Sequence, residues 1–404
     1  MDSDDASMIG ARVRAARIRQ GMSLAELASV TGLSKSFLSR AERGERGLDR
    51  RSTVQKIAEA LHVGMTELTG QPYTPASRAD VRARAAVADL RDILHGLDLG
   101  DPVEVPDVRP VADLERATWR VRQLAIASDF GGYGPLLPPL LLELHALASA
   151  ESTDRETVLR LLLSVTHATL WLAQSVGADD LAALAAGRAG DAAAGMADPA
   201  AEGFACWLAW LASLRLGQFT RARAARGAAA TADGLQRHAG AAGATAELYG
   251  LLHLVQAYTA MLDGRHGQVA GHLEEAEQTA QRTGDGTSYD VWFGPTECAA
   301  WRVSIAAEAG DDETAVAAAR AVDPRRMASP SRRASHFLDI ARSAAHQKRH
   351  RGAAVELLSE AERLAPQYVR ASPAVRETVA ELLVTAGGRD LRGLARRVGV
   401  IPSP

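Results

Sequence analysis

The chain has 404 residues, a formal net charge of −3, 47% hydrophobic but only 4% aromatic side chains, and two cysteines. That length exceeds the needs of one small domain. Cys206 and Cys298 cannot make a disulfide scaffold or a cysteine zinc site and are expected as buried thiols; no run of about 18 apolar residues offers a membrane span, and the start, with Asp2, Asp4 and Asp5, is unlike a basic, apolar leader, so the expected location is the cytoplasm.

A first helix is predicted from Met8 to Arg19, with Ile9, Val13 and Ile18 inward and Arg12, Arg14, Arg17 and Arg19 making it basic. Ser23 and Glu26 form an S-x-x-E capping box, which opens a second helix carrying Leu24, Leu27 and Ala28 at helical spacing. Gly32 supplies the positive φ of a tight turn. Ser34 then caps a third helix on which Leu38 and Ala41 point inward, while Lys35, Ser36, Ser39, Arg40 and Arg43 face out and can bond bases and phosphates. Ser52 with Gln55 predicts a second capping box, and Val54, Ile57, Ala58 and Leu61 give a stripe running toward Leu68. From Met8 to Lys56 eleven Lys or Arg stand against four acids, a local +7 on an acidic chain, so binding to DNA should weaken with salt.

Ile9 to Leu68 resembles a lambda-repressor-like domain of the Xre type. The resemblance is carried by Arg17, Leu27-Ala28, Gly32-Leu33-Ser34, Leu38-Ser39, Glu42-Arg43-Gly44, Ile57-Ala58 and Leu61. It implies a five-helix domain whose segment Ser34 to Arg43 enters the major groove, with Arg17 paired to Glu42 as an internal bridge. The candidate DNA contacts are Ser23, Ser34, Lys35, Ser36, Ser39, Arg40, Arg43, Arg46, Arg50 and Arg51. Three positions depart from the family pattern. Leu24 replaces a frequent glutamine, Ala41 a bulkier apolar residue, and Glu45 to Arg51 lacks a proline and is longer by one residue.

Residues 1–70 are therefore assigned to the helix-turn-helix domain and 71–110 to a linker. Gly70 to Ser77 carries two prolines, a helix follows at Arg78 to Leu97, and Pro102, Pro106 and Pro110 break what comes after. Residues 111–404 are rich in alanine and leucine and show no strand-like alternation; Glu247 to Leu262 places Leu248, Leu251, Leu252, Val255, Tyr258 and Leu262 on one helical face. Short turns at Gly217-Gln218, Gly264-Arg265, Gly310-Asp311 and Arg349-His350, about 39 to 47 residues apart, argue for a solenoid. The helices after these turns resemble the second helix of a tetratricopeptide repeat, although the first helices lack the usual Trp, Leu-Gly and Tyr set and the period is long. The predicted fold class is all-α: a lambda-repressor-like module followed by a tetratricopeptide-like solenoid.

All six tryptophans fall between Trp119 and Trp301. Trp171, Trp210, Tyr249, His253, Trp292 and Trp301 are the candidates to line an effector groove on the first helices of the solenoid, and Ser288 to Phe293 is expected as an aromatic loop. No phosphate-cradling loop, nucleophile elbow or dinucleotide fingerprint occurs, so no enzyme, cofactor or metal is expected. Gly131-Gly132-Tyr133-Gly134 is taken as a flexible loop, and His346 with His350 as a solvated basic turn. The whole resembles bacterial Xre-type regulators with a helical sensor, and its alanine and arginine richness with three lysines suggests an actinomycete. That resemblance implies a homodimer on a palindromic DNA operator, tuned by a peptide or small-molecule effector. The alternative is an interaction scaffold whose solenoid binds a partner regulator and whose helix-turn-helix tethers it weakly to DNA.

Overall fold

The computed structural model describes residues 8–401 except 74, 76, 151–153, 239–241 and 328, so Asp2, Asp4 and Asp5 lie outside the described residues. Among these the helices are, in chain order, α1 (Ile9–Arg19), α2 (Leu24–Thr31), α3 (Lys35–Glu42), α4 (Arg51–Ala60), α5 (Met65–Thr69), α6 (Arg78–Gly96), α7 (Val111–Ile126), α8 (Phe130–Tyr133), α9 (Leu137–Ser149), α10 (Arg155–Ser175) and α11 (Asp179–Ala194). There follow α12 (Pro199–Ser213), α13 (Gln218–Leu235), α14 (Ala244–Leu262), α15 (His266–Thr283), α16 (Pro295–Ala309), α17 (Asp312–Ala318), α18 (Pro330–Ala345), α19 (Arg351–Leu364), α20 (Pro366–Ala371), α21 (Pro373–Thr385) and α22 (Arg389–Arg397). The fold is essentially all-α, and all four predicted solenoid turns fall between consecutive helices, from α12/α13 to α18/α19. None of the helices is long and apolar enough to cross a membrane.

Packing divides the chain differently from the sequence-based boundaries. One unit combines the described residues of Met1–Tyr73 with those of Arg302–Pro404; the other is Thr74–Trp301. In the first, Ile9, Val13, Ala16, Leu27, Leu38, Ala41, Leu48, Val54, Ile57, Ala58, Leu61 and Leu68 form the core of α1–α5. Each large member contributes roughly 1.5–3 kcal/mol relative to exposure. Ile18, expected inward, is 58% exposed and Ala16 is buried in its place. Ala16 lies three positions after Val13 and Ile18 five, so at 3.6 residues per turn only Ala16 shares its face. Arg12 and Arg19 tie α1 to α5, Arg12 donating to the Thr69 carbonyl at 3.3 Å and Arg19 pairing with Glu67 at 2.6 Å. A second, alanine-rich core, with Ala341, Ala354, Leu358, Val379 and Leu382, lies beneath α18–α22.

In the other unit α10/α11, α12/α13 and α14/α15 form successive packed pairs. Two sequence expectations fail here. The glycine-rich segment is not a flexible loop but the short helix α8 and a following single turn, largely buried. A Cβ on Gly131 would lie 2.6 Å from the Ala79 backbone, so glycine lets α6 approach closely. The aromatic segment is a hairpin, β1 (Gly286–Ser288) paired antiparallel with β2 (Val291–Phe293). Three-residue strands are too short for alternation to register in the sequence. Cys298 is buried as expected; Cys206 is only half-buried, its Sγ 3.2 Å from Thr231 Oγ1.

Candidate nucleic-acid interface and aromatic cluster

The α2–turn–α3 segment is built by its own side chains. The Ser23 amide donates to Glu26 at 2.6 Å and the Glu26 amide to Ser23 Oγ at 3.2 Å, which closes the capping box and lowers the Glu26 pKa through the backbone bond. Gly32 ends α2 at φ 68°, and Ser34 Oγ accepts from the Phe37 amide at 3.1 Å to start α3. Leu38 and Ala41 anchor α3, which leaves Lys35, Ser36, Arg40 and Arg43 exposed and Ser39 half-buried along its outer side. Arg43 is held by a fork to Glu45 at 2.6 and 2.8 Å, which raises its pKa and lowers that of Glu45. Such an exposed pair is weak and can be exchanged for a phosphate. Beneath this surface Arg17 donates twice to Glu42, at 2.7 Å each, and to the Met22 carbonyl at 2.9 Å. The bridge therefore clamps α1, the turn before α2 and the end of α3.

Arg46 and Arg50, candidates for phosphate contact, are engaged elsewhere in this structure. Arg46 pairs with Glu381 at 3.2 Å and Arg50 with Asp312 at 3.3 Å. Arg51, by contrast, is half-exposed. The segment between α3 and α4 is fixed by carboxylates from α16 and α21. Glu381 accepts from the Gly47 amide at 2.9 Å, and Glu377 from the Leu48 and Ile9 amides at 3.0 and 2.9 Å. Glu308 accepts from the Ser52 amide at 2.6 Å, so the predicted Ser52–Gln55 capping box does not form; Gln55 donates to Glu59 instead. Glu377 is 3% exposed, and burial raises its pKa against the two amides that favour the anion.

His346 corrects another expectation. Its side chain is 4% exposed, with Nδ1 2.9 Å from Asp312 and Nε2 3.0 Å from Asp49. The Nε2 geometry is that of an ion pair rather than a directed hydrogen bond. Burial opposes its charge, but Asp312 and Asp49 prevail and raise the pKa to about 9. Asp49 is buried; the His346 contact and the nearby Arg342 and Arg50 charges outweigh desolvation and lower its pKa.

The six candidate effector residues do not form one site. Trp210 and Trp301 lie 5.9 Å apart between ring centres with Tyr258 edge-on to both, and the Trp210 indole donates to Thr259 at 3.0 Å. Trp171 donates to His167 at 2.8 Å in a second cluster, where His167 meets Phe204 and Trp207. Burial holds His167 neutral, its pKa lowered to about 4. Tyr249 and His253 instead face α15, where Tyr249 donates to Glu275 at 3.1 Å and His253 meets His272 at 3.2 Å. Trp292 sits on β2 opposite Thr287, its indole nitrogen buried without a partner. The tip of that hairpin joins the His167 cluster: Tyr289 stacks on Phe204 at 5.3 Å, and Asp290 pairs with Arg122 and accepts from Ser164 at 2.9 Å. The aromatic composition of 288–293 marks the tip in the sequence; nothing local marks Arg122 or Ser164.

Residues 9–69, which span α1–α5, match the family described as helix-turn-helix domain. The chain is 28% identical over 111 residues to the HTH-type transcriptional repressor RghR of Bacillus subtilis (strain 168), covering 28% of this chain and 76% of that protein. It is 41% identical over 61 residues to the HTH-type transcriptional regulator SlrR of the same organism, covering 15% of this chain and 40% of that one, less than half its length. The solved structure of the apo form of ComR from S. thermophilus aligns over 90% of this chain and 97% of that chain, at 12% identity and a TM-score of 0.23, too low for either fold or function to be transferred.

Proposed function

We propose that the chain is a sequence-specific DNA-binding transcriptional regulator that works as a homodimer and whose helical part responds to a peptide or small molecule. The observation that carries this reading is the outer side of α3. Lys35, Ser36, Arg40 and Arg43 stand exposed on a short helix set by Gly32 and the Ser34 cap, above a helix-turn-helix core. Such a helix fits the major groove, where hydroxyl and guanidinium groups bond base edges and phosphates. Similarity of residues 9–69 to a helix-turn-helix family, and of 111- and 61-residue stretches of the chain to a repressor and a regulator, supports it. In this reading two copies place their α3 helices on a two-fold symmetric site, and occupancy of the helical part biases the DNA-competent population.

The ion pairs on Arg46 and Arg50 favour the scaffold alternative to a degree, because they withdraw two cations from phosphate contact. Selection of genomic fragments by the full-length protein at moderate salt separates the two readings, with a Ser36→Ala, Ser39→Ala, Arg40→Ala variant alongside. Enrichment of a two-fold symmetric site, lost in the variant, is the expected result. Uniform, salt-sensitive retention of all fragments would overturn sequence-specific regulation and leave the scaffold.

A further inference from the structure

The turn joining β1 to β2 carries an unfavourable pair of residues. Ser288 pairs with Val291, so Tyr289 and Asp290 alone make the turn, at φ 52° and 63°. Two-residue turns of this kind use Asn-Gly or Gly-Gly, because positive φ crowds a side chain, a bulky one most of all. A tyrosine held there needs compensating contacts.

Those contacts come from helices far away in the sequence. The Tyr289 ring stacks on Phe204 with planes 22° apart, lies 6.0 Å from the Arg160 guanidinium, and its hydroxyl donates to Asp198. The Asp290 carboxylate is gripped by Arg122 and by Ser164. Thus α7, α10 and α12 converge on one aromatic ring and one carboxylate. They also hold more donors than the tip uses. The indole N–H of Trp207, a residue only 8% exposed, and the Nε–H of Arg122 are buried with no acceptor. Unsatisfied buried donors are costly and mark a place where an acceptor is wanted.

We infer that this surface of α7, α10 and α12 is a binding site for an aromatic carboxylate, an aryl ring joined by a short chain to a carboxyl group, and that Tyr289 and Asp290 fill it as an internal surrogate. The ring takes the place of Tyr289 against Phe204. Its carboxylate replaces Asp290 on Arg122 and Ser164, and a further acceptor reaches Trp207. Displacing the tip relieves the positive-φ turn, so ligand and hairpin compete for one place. The inference rests on the effector-responsive reading above and supplies the effector's chemistry.

The test is calorimetric titration of the full-length protein, without DNA, with 3-(4-hydroxyphenyl)propionate, its primary amide, and the peptide acetyl-Gly-Tyr carrying a free carboxyl terminus. Failure here leaves the DNA-selection result untouched, and the reverse holds equally. In a Tyr289→Gly/Asp290→Gly variant, glycine keeps the turn accessible while both surrogate groups are gone. This variant should bind the better acid about tenfold more tightly than the unmodified chain, since the competing state is removed. The amide should bind about tenfold more weakly than the acid, and Arg122→Gln in the same background should abolish that difference. A preference for the peptide acid identifies a peptide terminus as the source of the carboxylate; a preference for the free acid identifies a metabolite. Equal affinities in the unmodified and double-glycine proteins, or no discrimination between acid and amide, overturn the inference. Should the double variant misfold by circular dichroism, Asp290→Asn alone must still raise acid affinity several-fold, and no change there overturns it.

Discussion

Raising the pH should destabilise the unit formed by α1–α5 and the carboxy-terminal helices, through His346. The imidazole contacts Asp312 and Asp49 and also faces the Arg46 and Arg50 charges, while Arg342 acts on Asp49. Its folded-state pKa of about 9 stands above the ordinary 6.5. A raised histidine pKa means stability fully present below about pH 6.5 and lost as the pH climbs through 9. At about 1.4 kcal/mol per unit the swing approaches ~3 kcal/mol, with little reduction by solvent because the side chain is 4% exposed. Urea unfolding followed by far-UV circular dichroism from about pH 6 to about pH 10, in the unmodified chain and in His346→Gln, measures it. The unmodified protein should lose ~3 kcal/mol over that window, whereas the variant should start less stable and change little. Comparison with the variant removes the shared titration of tyrosines and thiols. Equal slopes in the two proteins would refute the assignment of a charged, doubly paired His346.

Glu42→Ala should destabilise the helix-turn-helix by ~3–5 kcal/mol because it leaves the Arg17 guanidinium, 13% exposed, without its carboxylate; Arg17→Met with Glu42→Leu should recover most of that loss in thermal melts. Glu377→Gln presents an NH2 group to one of two amides that both need an acceptor, and should cost ~1–3 kcal/mol, visible as faster hydrogen exchange at Ile9 and Leu48. If Lys35 meets a phosphate, Lys35→Ala should lower the slope of log affinity against log salt by about 1 without changing the preferred sequence, as read in binding isotherms at several salt concentrations. Leu38→Ala, at a fully buried position, should cost ~2–5 kcal/mol and remove DNA selection with it, scored by melts and retention on the selected site.

The helix-turn-helix was legible because its determinants are local. A cap three residues from its partner, a glycine at the turn and apolar residues at helical spacing are all visible within α2 and α3. What escaped depends on distant chain. Arg46 and Arg50 meet carboxylates 335 and 262 residues away, and the Ser52 amide finds Glu308 across 256 residues, so a well-spaced capping box loses to a tertiary acceptor. Periodicity placed Tyr249 and His253 on one side of α14, and Trp210 on α12, but it cannot say which neighbour covers each side. In the fold the first pair turns to α15 and Trp210 to Trp301, so the candidate groove divides. The burial of His346 is hidden from the sequence for the same reason. Flanking basic residues suggested solvent, whereas the partners that bury it belong to α17 and to the segment before α4.

The placement of the indoles has an experimental consequence. Every tryptophan of the chain lies between Trp119 and Trp301, inside the Thr74–Trp301 unit, whereas helices occur in both units. Intrinsic fluorescence excited at the red edge is therefore a private reporter of one half of the molecule, while far-UV ellipticity averages over both. Overlaying the two denaturation curves of the unlabelled protein tells whether the halves melt together or separately, because coincident transitions signify one cooperative system and a gap between midpoints gives the difference in their stabilities.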